Sequence, residues 1–156
     1  MTAATIICLA ASALMAGLFF SYSTFTMGGL RSIAPRDGLV AMQGINQEAP
    51  RSVPFMVVFL GGALLAVVPG IVAATRLDQA EAPYQLVGAI LNAAGVLVTA
   101  GFHVPRNNAL ERIEPGGDGA DRAWIDHART WTRGNHVRTI SYLASTVLFA
   151  IALAEG

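Results

Sequence analysis

Between Arg51 and Arg76 the chain reads SVPFMVVFLGGALLAVVPGIVAAT, residues 52–75, without one ionisable side chain. A helix needs about 20 mostly apolar residues to cross the hydrocarbon of a bilayer, so this stretch reads as a membrane span. Two more gaps are as long. No charge precedes Arg31, and none lies between Glu81 and Arg106, where only the neutral-capable His103 interrupts. The last gap, residues 139–154 between Arg138 and Glu155, is short. Counting back about 20 residues from Glu155 starts that helix near Asn135 and His136. The expectation is an all-α integral membrane protein, one membrane domain over residues 1–156. It is a four-transmembrane-helix bundle with spans at about 3–28, 53–75, 83–104 and 135–155.

Composition agrees. The chain is 54% hydrophobic and 13% charged, with a mean hydropathy of +0.54, against about 25% charged residues in soluble domains. Ten Arg balance ten acidic residues, and lysine is absent. A neutral chain lacks the basic surplus that phosphate binding requires, so nucleic acid is not an expected partner. The lone Cys8 excludes an internal disulfide and any cysteine-rich metal site. The first span has no basic n-region and a long apolar stretch, so it reads as a retained span rather than a signal peptide. Residues 115–119, Pro-Gly-Gly-Asp-Gly, form a turn.

Four spans put both termini on one side and residues 31–52 and 103–138 on the other. Those two loops hold nine Arg, and the connector 76–82 holds only Arg76. The positive-inside rule then places the long loops in the cytoplasm and both termini outside, in the inner or plasma membrane. The first loop reads as a short helix over Gly38–Glu48, capped by Asp37, stopped before Pro50 and lying across the mouth of the bundle.

Polar residues gather at that cytoplasmic end. In the third span Asn92, Thr99, His103 and Asn107 recur at helical spacing, and Pro105 is expected to kink the helix just after His103. In the fourth, Trp124, Ala128, Trp131, Asn135, Arg138 and Tyr142 step along one face, with Asp121 as the cap. His136 lies one residue off that face, about 100° round, at the same depth. The first span offers Ser12, Ala16, Phe19, Ser23 and Thr26, and its Ala13 and Gly17 make a pair suited to close packing. Ionisable groups at membrane depth usually face the bundle interior. A plainer reading stands beside each: Arg138 snorkelling, Trp124 and Trp131 in an interfacial belt, Asn92 and Thr99 cross-linking helices, and His127 structural in the charged loop.

Two stretches, FHVPRNNAL at 102–110 and WTRGNHVRT at 131–139, together with Asn46 and the four-span layout, resemble the anthrone oxygenase-like membrane family. The resemblance covers nearly the whole chain. It implies a small four-helix membrane protein, and some fungal members are linked to oxidation of polyketide anthrones to anthraquinones with molecular oxygen. The patterns His-x-x-x-Asn and Trp-x-x-x-Asn-His-x-Arg map onto His103, Asn107, Trp131, Asn135, His136 and Arg138. Gly134 stands where a bulkier residue is expected, which widens the pocket on this reading.

The leading expectation is therefore an oxidoreductase for a small lipophilic aromatic substrate. His103 or His136 serves as base, and Asn107, Asn135 and Arg138 steady the developing oxyanion. Phe102, Trp131 and Tyr142 line a flat slot, and Asn46 and Asn108 complete the substrate contacts. No cofactor is expected. A second mechanism uses His103 and His136 as ligands to a metal or a haem, although no specific metal motif is present. A non-enzyme alternative binds a quinone-like lipophile through the same polar cap. Homo-oligomerisation stays open.

Overall fold

A computed structural model describes residues 2–156. Four helices are long and apolar enough to cross a membrane: α1 (Ala3–Ser32), α3 (Val53–Ala74), α4 (Ala82–Leu110) and α5 (Ala120–Glu155). A shorter helix, α2 (Pro35–Glu48), joins the first two. No strand occurs among the described residues. The 36 residues of α5 reach about 54 Å. The hydrocarbon is only about 30 Å thick, so the N-terminal part of α5 extends beyond the bundle on the loop side.

The helices pack in a ring: α5 lies along α1 and α4, and α3 closes the circuit between them. Their outer faces carry Ile6, Leu14, Leu64, Leu97 and Ile140, all exposed, as lipid-facing positions should be. Helices meet the other demand of the bilayer, because each satisfies its own backbone polar groups. The interior is small and polar. Asn92 Nδ2 donates to Ser12 Oγ at 2.8 Å, Ser12 and Ser145 share a hydrogen bond at 3.2 Å, and Ser145 Oγ donates to the Gly88 carbonyl at 2.8 Å. One buried knot thus ties α1, α4 and α5 together, the cross-linking role expected of Asn92.

Several local expectations are corrected. Neither Asp37 nor Asp121 is a cap. Ala34 precedes α2, with Pro35 in the first turn, and Gly119 precedes α5 with a φ of 77°. Both aspartates sit inside the first helical turn, where they face the positive end of the helix dipole instead. Gly17 faces outward with nothing within 4 Å of a Cβ. The close approach that α1 does make is at Ala11 against Gly62 of α3.

The helices are not uniformly α. Tyr22–Thr26, Val57–Gly61 and Thr99–His103 are π-helical turns. The third has a clear cause. Pro105 has no N–H to give, and the turn before it widens so that the Val104 N–H reaches back to the Thr99 carbonyl. The deviation expected at Pro105 is this wide turn, and His103 closes it facing inward.

On the loop side α2 lies across the end of the bundle. Leu39 and Met42 pack with Met27, Leu110, Trp124 and Trp131. Gln43 Nε2 donates to the Leu110 and Ile113 carbonyls, both at 3.0 Å, capping the end of α4.

A Cβ at Gly62 would lie 2.6 Å from the Ala11 Cβ, whereas one at Gly61 meets nothing. Gly62→Leu is expected to destabilise the detergent-solubilised protein by about 1–3 kcal/mol, the range for overpacking. Gly61→Leu should unfold at the wild-type temperature. Equal melting temperatures for the two variants would contradict this packing.

Candidate functional site

The polar face of α5 turns inward as its spacing requires: Trp124, Ala128, Trp131, Asn135, Arg138 and Tyr142 are all buried. Arg138 is 4% exposed and stands at the centre. Its Nη2 donates to Asn135 Oδ1 at 2.7 Å and its Nη1 to Thr99 Oγ1 at 3.3 Å, while Nε has no partner. The guanidinium carbon lies 4.1 Å from the centroid of Phe19 and 4.9 Å from that of Trp131. Tyr22 and Tyr142 complete the surround, both within electrostatic reach of the cation. Among the described residues no carboxylate pairs with it. Among the described residues the ion pair is Arg51 with Glu48, exposed at 3.3 Å.

Asn135 anchors the cluster to α1. Its Nδ2 donates to the Phe19 carbonyl at 2.7 Å and to Ser23 Oγ at 2.8 Å, and Ser23 in turn shares a 3.0 Å hydrogen bond with Thr139. The amide oxygen is thereby aimed at Arg138. Phe19, Ser23 and Thr99 lie on stripes visible in the sequence, but their place around Arg138 depends on how three helices are rotated. Nothing local marks Thr139.

His103 is 1% exposed, and neither ring nitrogen reaches full hydrogen-bond geometry, the Gly134 backbone being the polar group the ring approaches. It packs edge-on against Trp131, with centroids 4.9 Å apart, and against Phe102 at 5.1 Å. The Trp131 ring therefore neighbours both the guanidinium of Arg138 and the imidazole of His103. Trp131 Nε1 donates to Asn107 Oδ1 at 3.0 Å. Asn107 thus holds the indole that contacts both groups, and no hydrogen bond joins it to Arg138.

Gly134 does not widen a pocket. A Cβ there would collide with the edge of the Phe102 ring and stand 3.1 Å from His103 Nε2. The space left by the missing side chain is already filled by Phe102, which Arg106 covers with its guanidinium at 3.5 Å and grips by a 2.9 Å hydrogen bond to the Phe102 carbonyl.

Three sequence candidates fall outside this cluster. His136 and Asn108 are exposed. His136 shares the depth of the site but its helix face points outward, the 100° rotation deciding against it. Asn46 is half-buried on α2 with its Nδ2 unpartnered, and no hydrogen bond joins it to His103 or Arg138. The pair of imidazoles imagined for a metal or haem is therefore not assembled within this chain. No group of three or more His, Cys, Asp or Glu side chains suited to a metal occurs among the described residues. His127 belongs to α5 rather than to a loop and stacks on Trp124 at 6.2 Å. It lines a depression of about 290 Å3 with Arg106 and Leu110, on the loop side of the closed Arg138 box.

The fit at Gly134 is testable without activity. Gly134→Ala is expected to lower thermal stability by about 1–3 kcal/mol. Adding Phe102→Leu should recover part of that loss, because the two residues share one space. Strict additivity in the double-mutant cycle would refute the contact.

The family model for anthrone oxygenase matches residues 51–148. The matched stretch carries Phe102, His103, Asn107, Trp131, Asn135, Arg138 and Tyr142, while Phe19 and Ser23 precede it. No curated protein and no solved structure gives a match. With more than half of its length matched, this chain belongs to the anthrone oxygenase family.

Proposed function

We propose that this protein is a multi-pass membrane oxygenase that converts a lipophilic, anthrone-like aromatic to the corresponding quinone with molecular oxygen. One observation carries the reading: Arg138 is a buried cation in an aromatic box without a counter-anion. Burying a charge unpaired is costly, and an anionic, flat, apolar ligand would supply what the box lacks. The enolate of an anthrone is such an anion. Its charge rests on an oxygen, and its fused rings match Phe19 and Trp131.

The chemistry follows from that fit. The methylene of an anthrone lies between two rings and is conjugated with the carbonyl, so loss of one proton gives an aromatic enolate. His103 takes that proton on a ring nitrogen. Arg138 stabilises the oxyanion, more strongly in a closed apolar box than in water. The enolate then gives two electrons to dioxygen, and the remaining carbon–hydrogen bond supplies two more as the oxygen–oxygen bond breaks. One oxygen atom replaces the two methylene hydrogens as a carbonyl, and the other leaves as water. Asn135 keeps the guanidinium in place, and Asn107 fixes the indole. The box is filled by its own side chains, so a substrate must move one of them. Phe102 packs edge-on against His103 and is covered by Arg106, which lines the depression, so it is the wall we propose moves.

The arginine-rich loops support a cytoplasmic position for this site, with both termini outside. Oxygen uptake tests the reading on the full-length protein in detergent, with a dihydroxyanthrone as substrate and the uncatalysed rate subtracted. Wild type should consume one dioxygen per quinone formed. Arg138→Gln should lower kcat/KM by about 10²–10³-fold, the loss expected for one oxyanion donor. His103→Ala should lower it by about 10²–10⁴-fold. His136→Ala should leave the rate unchanged. Saturable binding of the anthrone without oxygen uptake would replace this reading with a carrier of lipophilic anions.

A further inference from the structure

We infer that Tyr142 is a further catalytic residue, the acid that protonates the departing oxygen when the bond between the two oxygen atoms breaks. The inference rests on the anthrone-oxidising reading of the site. The Tyr142 side chain is 1% exposed, and its hydroxyl is shielded from solvent without a hydrogen-bond partner. A buried hydroxyl normally finds one, and in an apolar bundle an orphan is costly. The residue lies one turn beyond Arg138 on the same face of α5 and is in its electrostatic reach. Its ring packs on Phe19 with centroids 5.5 Å apart, the same ring that carries the guanidinium.

The backbone is shaped around this ring. A Cβ on Gly95 would collide with it, two further ring atoms standing 2.7 and 3.0 Å away. Phenylalanine would satisfy packing here equally well and without an orphan hydroxyl. A phenol kept unpartnered beside a cation is suited to one task, giving up a proton and becoming an anion for a moment.

The oxidation contains a step that needs such a group. Addition of dioxygen to the enolate carbon forms a carbon–oxygen bond and leaves a peroxide anion, which recovers the proton first taken by His103. The carbon now bears one hydrogen and a hydroperoxide. His103 removes that hydrogen as a proton, the carbon–hydrogen electrons form the carbonyl, and the oxygen–oxygen bond breaks. The distal oxygen leaves as hydroxide unless it is protonated. Tyr142 donates the proton and water departs. The tyrosinate is stabilised by Arg138 until the proton held on His103 restores it, and the protein returns to its starting charge.

The test compares oxygen consumed with quinone formed, using Tyr142→Phe in the full-length protein and a dihydroxyanthrone. Oxygen should still add to the substrate in the first turnover, because the hydroxyl is not needed for enolate formation. Quinone formation should fall by about 10²-fold, and a substrate adduct heavier by two oxygen atoms should accumulate in the mass spectrum. Gly95→Ala, which displaces the ring but keeps the hydroxyl, should show the same imbalance. It provides the answer should Tyr142→Phe fail to fold. An unchanged first-turnover ratio of quinone to oxygen in either variant overturns the role of Tyr142 alone. Parallel loss of first-turnover uptake and quinone also overturns it, since the residue would then act before oxygen adds. Absence of uptake in the wild type overturns the reading of the whole site instead.

Discussion

A guanidinium without a carboxylate, sealed between helices, is the constraint around which this bundle is organised. Removing a charge from water costs several kcal/mol even after relaxation. Arg138 recovers part of that through Asn135, Thr99 and the faces of Phe19 and Trp131. Each of those partners must be held from elsewhere. Asn135 is held by the Phe19 carbonyl and Ser23 of α1, Thr99 by the wide turn of α4, and Trp131 by Asn107. The polar contacts that fix the helix rotations near the loop end of the bundle are therefore largely the contacts that house one cation.

Aromatic rings can surround that cation only where the backbone gives way. Gly95 admits Tyr142, and Gly134 admits Phe102 and His103. These two glycines do for the site what Ser12, Asn92 and Ser145 do for the middle of the bundle, bringing α4 and α5 close. In lipid, apolar side chains gain little from leaving their surroundings, so close packing and buried hydrogen bonds decide which faces meet. A tight, closed box follows directly. The site is preorganised for charge but filled by its own aromatic walls.

Much of this was legible before any coordinates. Charge gaps marked the four spans, because an ionised side chain is costly in hydrocarbon. The stepping of Trp124, Trp131, Asn135, Arg138 and Tyr142 gave the buried face of α5, because helical periodicity is a local property. What failed was local in another way. Asp37 and Asp121 have the chemistry of caps but sit inside the first turn, where Pro35 and the left-handed Gly119 had already set the start. Gly134 suggests space in the sequence, yet whether a missing side chain leaves a hole depends on a residue from another helix. Thr139 and Phe19 join the site only through tertiary rotation, which no single segment encodes.

His103 and His136 sharpen the point, since depth in the membrane treats them alike. Both follow from the same counting of residues against bilayer thickness. They differ in azimuth. His103 closes a wide turn forced by Pro105 and faces Trp131, whereas His136 follows Asn135 by one residue on a regular helix and so must face away. A charge gap measures position along the membrane normal and says nothing of rotation about the helix axis. Chemistry inside a bundle needs both coordinates, and the second is set by the buried face that Arg138 imposes on α5.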